Sequence, residues 1–318
     1  MNGWAGPAAY PRWRWRGYGP AAMRSFVVLV WAAPLLAQST VLDVVDGETL
    51  YFGGNLLSLS SELEREDVLR SGSRRVADAD ASNRFRLTST VAWQHGLRND
   101  LQIGFALPYV VDEAESASSR SSVAGLGDLE LLAKWRFHRW DAPKVSINTS
   151  LITSLALPTG DDDRTENGFE LDPEVQPGSG SIDPSIGLAI TPEPGRWRFN
   201  AAVLHQIRTD LDDDGDRMGH SFYAELAIGN RFWLEPYPGP FMRADVFVHF
   251  YDEARDRSDG SAVADSGGER IAVGGTWAFR PRPSLDFQLT GEIPVWRDAN
   301  GTQLDDDWSV QFSFGYRF

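Results

Sequence analysis

Few side chains in this sequence stand at spacings that chemistry could use. Asp210, Asp212 and Asp214, followed by Gly215, match the first half of a calcium loop. Alternate carboxylates there converge on one cation, and the glycine permits a sharp turn. The twelfth position is Ser221 instead of glutamate, so the alternative is a solvated acidic loop, or one tied to lipopolysaccharide through bridging divalent ions. Asp161-Asp162-Asp163 and Asp305-Asp306-Asp307 read as plainer acidic tips. A hydrolase would need a serine or acidic pair with a histidine at one rim. Of His95, His138, His205, His220 and His249, only His220 and His249 are expected towards the outside, and neither sits in a recognisable motif. The chain is therefore expected not to be an enzyme. The absence of cysteine excludes thiol catalysis, cysteine-ligated metals and disulfides. A net charge of −15 repels phosphates and excludes a nucleic-acid partner. No cofactor is expected beyond calcium or another divalent ion in outer loops.

The elements that position these residues are strands. From residue 84 onward the sequence alternates at period two in segments of about ten residues, and successive side chains of a strand point to opposite faces. In the last segment Trp308, Val310, Phe312, Phe314, Tyr316 and Phe318 form one face, against Ser309, Gln311, Ser313, Gly315 and Arg317. Leu101 to Tyr109, Leu129 to Phe137 and Leu285 to Ile293 repeat the pattern, and Asn55 to Ser60 and Ile182 to Ile190 show it most weakly.

Such strands suit either a soluble sandwich or a membrane barrel, and the connections decide. Short joints (97–100, 140–144, 192–196, 235–240 and 281–284) alternate with long ones (62–81, 111–124, 158–180, 209–219, 252–268 and 298–307). Short periplasmic turns and long outside loops are the plan of an outer-membrane barrel. Prolines gather in the short turns, and Trp93, Trp135, Trp197, Trp233 and Trp277 lie near the same ends, as an interfacial aromatic girdle requires. The expected fold is all-β, an antiparallel transmembrane up-and-down barrel of about twelve strands. Its lumen face then carries Arg84, Arg86, Glu130, Lys134, Arg136, Arg198, Glu225, Arg231, Arg243, Asp245, Asp286 and Glu292. Charges of both signs in a small barrel pair into structural networks; a charge-lined pore is the functional alternative.

The one long apolar stretch, Phe26 to Ala37, is too short to span a bilayer as a helix. Preceded by Arg12, Arg14, Arg16 and Arg24, it reads as an export signal ending at Ala37, and Met23 would serve as a start as well as Met1. The domain expectation is a signal peptide over 1–37, a mature N-terminal segment over 38–48 and a barrel over 49–318.

Three motifs carry a family resemblance. They are Gly125-Leu-Gly-Asp-Leu-Glu-Leu-Leu-Ala-Lys-Trp-Arg-Phe137, Leu157-Pro-Thr-Gly-Asp161 and Gly178-Ser-Gly-Ser-Ile-Asp183, preceded by Gly96 to Tyr109. In order and spacing this set resembles the outer-membrane transporters grouped as "MetA-pathway of phenol degradation" proteins. The C-terminal strand ending in Phe318 is similar to the assembly signal of outer-membrane barrels. The resemblance implies a passive channel for small, often hydrophobic or aromatic molecules, with no residue roles to carry over. It also implies lipid, lipopolysaccharide and the barrel-assembly machinery as partners. The alternative is a plugged barrel acting as a structural or surface-interaction protein, favoured if Phe241, Phe247 and Arg136 fill the lumen.

Overall fold

In a computed structural model, residues 45–117, 119–166, 169–170, 175–209, 217–258 and 260–318 are described. The wall-forming elements are β1 (Asn55–Gly72), β2 (Asn83–Arg98), β3 (Leu101–Glu115), β4 (Arg120–Leu126), β5 (Leu129–Ala142) and β6 (Val145–Leu157). They continue with β7 (Asp183–Pro194), β8 (Trp197–Gln206), β9 (Ser221–Leu234), β10 (Phe241–Glu253), β11 (Gly268–Arg282) and β12 (Leu285–Arg317). Neighbours in chain order pair antiparallel, except β4 with β5. β4 and β5 are one wall strand interrupted at Gly127-Asp128, since both pair with β3. β12 is two strands, because residues 285–299 pair with β11 and residues 299–317 pair with β1. Gly301, at φ 72°, lies between the two arms. Among the described residues the wall therefore has twelve strands, and the last pairs with the first. Closure leaves no open edge, which a sheet in lipid requires.

Alternation places the two faces. Leu131, Phe312, Val246 and Leu226 are exposed on the outside, whereas Glu130, Lys134 and Phe247 are buried on the inside. The outward belt is apolar because only lipid meets it, and the inward face is polar because it packs on itself and on water. Trp135, Trp197, Trp233 and Trp277 remain outwardly exposed near the short-turn ends.

One expectation changes. The strands run further out than the apolar alternation does: β1 continues to Gly72 and β3 to Glu115, and β12 crosses the whole of the segment read as a loop over 298–307. On β1 the outward residues switch from Leu57, Leu59 and Leu63 to Arg65 and Asp67, which pair with each other at 3.2 Å. The ladder outlasts the lipid, so the hydropathy signal stops before the strand does. The first wall strand begins at Asn55, and residues 45–50 ahead of it turn into the lumen. Residues 1–44, with the expected signal peptide, lie outside the described residues.

Candidate functional site

The lumen is built in three tiers. In the outer tier Arg84 and Arg86, from β2, both reach Asp112 of β3, at 2.6 and 2.7 Å. Arg84 also faces Glu66 of β1 at 3.8 Å. Arg297 binds Asp305 at 2.8 Å, Arg70 shares the same carboxylate, and Arg270 pairs with Asp306. Asp305 and Asp306 are buried. They are not an acidic tip, because the second arm of β12 continues as wall and turns both inward, where arginines await them. Burial of this kind is tolerated only when each charge is paired.

In the middle tier His249 stands between two carboxylates. Its Nδ1 lies 2.5 Å from Glu292 and its Nε2 lies 3.1 Å from Glu225. Phe247 stacks on the imidazole at 4.2 Å, while the rings of Tyr223 and Tyr251 meet it edge-on at 5.1 and 5.8 Å. His249, expected towards the outer rim and outside any recognisable motif, lies in the outer half of β10 and points into the lumen. Period two along β10 puts Arg243, Asp245, Phe247, His249 and Tyr251 on one face, and that signal would have found it.

The inner tier holds Arg198, Arg231, Arg243, Arg280 and Arg317. Arg243 pairs with Asp245 at 2.8 Å, Arg231 with Glu193, and both Arg280 and Arg317 with Asp286. Phe241 is in the same tier, beneath the Arg280 guanidinium at 4.8 Å. Arg136 sits near the short-turn rim and donates to Asn148 Oδ1 and the Asn99 carbonyl at 3.3 and 2.6 Å. Of the twelve residues read from sequence as lumen-facing, all point inward. They are dispersed over the three tiers and do not form one ring.

Residues 45–50 occupy the inner half of the lumen, and 51–54 lie at the short-turn rim against Gly96 and Asn99. Asp46 accepts from Lys134 Nζ at 2.8 Å and from Arg198 Nη2 at 2.9 Å. Gly47 donates its N–H to Thr191 Oγ1, and its carbonyl accepts from Ser150 Oγ, both at 2.8 Å. Asn200 Nδ2 donates to the Val45 carbonyl at 2.7 Å, and Leu50 N–H to Gln102 Oε1 at 2.8 Å. Val45 packs on Ile152, Ala189, Ala202 and Leu132, an apolar patch on an otherwise polar lumen face. The segment thus covers an apolar patch and supplies a carboxylate and a carbonyl to a buried lysine. Sequence reasoning missed it because ten residues with no periodicity carry no local signal.

At the outer mouth the three motifs of the family resemblance converge on Asp128. One carboxylate oxygen accepts from the N–H of Thr159 and Gly160, at 3.2 and 3.0 Å. The other accepts from Ser179 N–H and Oγ, at 2.8 and 2.6 Å. Gly160 and Gly178 approach so closely that a Cβ on either would fall within 2.9 Å of the other's backbone. The calcium-loop expectation at Asp210, Asp212 and Asp214 falls on residues 210–216, outside the described residues. Among the described residues no group of three or more His, Asp or Glu side chains is placed to hold a metal.

A cavity of about 280 Å³ runs from the inner tier past His249 to Arg270 and Asp306 of the outer tier, bordered also by Asp46, Arg198, Phe247 and Glu292.

A closed antiparallel wall, apolar outside and ionic inside, defines a β-barrel of the outer-membrane type. The family model described as "Putative MetA-pathway of phenol degradation" matches residues 72–298, and the chain belongs to that family. Its fold is similar to the crystal structure of an outer membrane channel from Pseudomonas putida F1. That likeness has a TM-score of 0.67 at 15% identity and covers 86% of this chain and 98% of that one. The β domain of the Bordetella autotransporter BrkA is less similar, at TM-score 0.47 and 10% identity over 84% of this chain and all of that one. No curated protein matches.

Proposed function

We propose that the barrel is an outer-membrane channel for passive passage of small molecules, apolar or aromatic in part, with residues 45–50 narrowing its periplasmic half. The observation that carries this reading is the cavity of about 280 Å³ inside the wall, close to the lower end for small-molecule sites of ~300 Å³. Its border mixes aromatic faces with charged groups, as passage of amphipathic solutes requires. The Pseudomonas protein of similar fold is itself described as a channel. Export by a signal peptide, insertion by the barrel-assembly machinery and contact with lipopolysaccharide belong to the same proposal, and catalysis does not.

Ion conductance in a planar bilayer tests it. The intact protein should give small unitary steps, and Thr191→Val, which removes the acceptor for Gly47, should enlarge them. A second reading, a plugged barrel acting through its loops, draws on the outer tier, where buried ion pairs fill the lumen. Silence from both proteins would favour that second reading.

A further inference from the structure

Lys134 is one of only two lysines in the chain, and it is fully buried. Its Nζ and Arg198 Nη2 converge on the two oxygens of Asp46, one cation to each oxygen. The guanidinium is not saturated: Arg198 Nε is buried without a hydrogen bond, its nearest carboxylate, Glu193, lying 3.7 Å away. Wall residues therefore form a two-cation cradle, and the carboxylate in it comes from a segment that is not part of the wall. That segment is bonded to the wall along its length, from the Val45 carbonyl to Gly54, with Lys134 Nζ also donating to the Glu48 carbonyl at 3.1 Å, and Val45 is its apolar anchor. Arg198 and Asp46 border the lumen cavity, with Lys134 buried behind Asp46, and the same border includes Arg243, Phe247 and Tyr223.

We infer that the cradle of Lys134 and Arg198 is a binding site for the carboxylate of a small organic acid, and that Asp46 occupies it in place of the solute. This rests on the channel reading for its role but not for its chemistry. Lysine supplies a point charge and arginine a planar pair of donors, a combination suited to one carboxylate. The cavity beyond the cradle sets the rest of the ligand. Phe247 and Tyr223 border it with aromatic carbon, so an aromatic acid fits better than an equally long sugar acid. A solute acid entering the cavity competes with Asp46, and its binding frees the segment.

Equilibrium binding of benzoate to the whole protein, folded in detergent micelles and followed by titration calorimetry, tests the site apart from conductance. Benzyl alcohol serves as a neutral ligand of similar shape. Asp46→Asn, which removes the competing charge, should bind benzoate at least about tenfold more tightly than the unaltered protein, roughly one charge-assisted hydrogen bond. Benzyl alcohol should show no such gain. Thr191→Val, which loosens the segment and leaves both cations and Asp46 in place, should gain affinity in the same direction. Adding Lys134→Met to Asp46→Asn should abolish the gain while heat-modifiable migration shows the barrel still closed. Equal affinity for benzoate and benzyl alcohol in Asp46→Asn would overturn the inference, as would no gain in either loosened variant. Benzoate binding without any conductance would keep the site and defeat the channel.

Discussion

Asn55 and Phe318, 263 residues apart, exchange both of their backbone hydrogen bonds, Asn55 N–H to the Phe318 carbonyl at 2.9 Å and Phe318 N–H to the Asn55 carbonyl at 3.1 Å. This reciprocal pair starts the seam between β1 and the second arm of β12, which then runs from Leu56↔Arg317 to Gly72↔Ala299. Removing Phe318 opens the ladder at its periplasmic end and exposes a strand edge. Deletion of Phe318 should lower the heat-modifiable folded form in outer-membrane preparations, measured by mobility with and without boiling. Unchanged yield would show that closure does not depend on this pair.

Asp305 holds two arginines. Asp305→Ala leaves the buried Arg297 and the half-buried Arg70 without their shared anion, and breaking such a buried pair costs about 3 kcal/mol. Urea unfolding in lipid vesicles, followed by tryptophan fluorescence, should show a lower midpoint at an unchanged slope. Arg65→Ala removes only an exposed pair and should cost under about 1 kcal/mol.

Residues 311 and 312 face opposite ways, with Phe312 exposed on the belt and Gln311 bordering the lumen cavity. Arginine on the lipid face near the midplane costs about 2–4 kcal/mol. Phe312→Arg should therefore impair insertion into bilayers far more than Gln311→Arg. Spin labels at the two positions give an independent check: membrane-dissolved oxygen should relax the label at 312 and spare the one at 311.

Asp128 tethers the outer connection between β6 and β7. Asp128→Ala strands four donors and should release residues 159–181 without opening the wall, since no ladder partner is lost. Trypsin should then cut after Arg164 faster, while heat-modifiable migration persists. Cleavage at the original rate would mean that the close contact of Gly160 with Gly178 holds the loop unaided.

The barrel was legible where lipid wrote the alternation. Trp308 to Phe318 shows its two faces in plain sequence because every outward residue there must be apolar or aromatic. The outer halves of β1 and β12 were not, since on β1 the outward residues become charged and on β12 Gln303 to Asp306 are all buried, so neither shows an apolar outward stripe. The lumen residues could be named by period two, yet their partners could not: nothing local connects Lys134 with Asp46, or Arg70 with Asp305. Those pairings depend on register, which is a property of the closed sheet.

The switch along β1 from Leu63 to Arg65 also locates the outer boundary of the bilayer. Roughly ten tilted residues cross the hydrocarbon, and ten residues from Asn55 end at Glu64. Glu66 and its ladder partner Arg84 therefore lie level with the lipid headgroups, not with the acyl chains. The outer ion-pair tier is ringed there by hydrated phosphate and sugar, a medium far more polarisable than hydrocarbon. Its charges keep most of their mutual attraction while losing less solvation than the same charges would at mid-membrane. A lumen can thus be filled with arginine and aspartate at its mouth, and the narrower choice of groups near His249 is left to the depth where solvation is scarce.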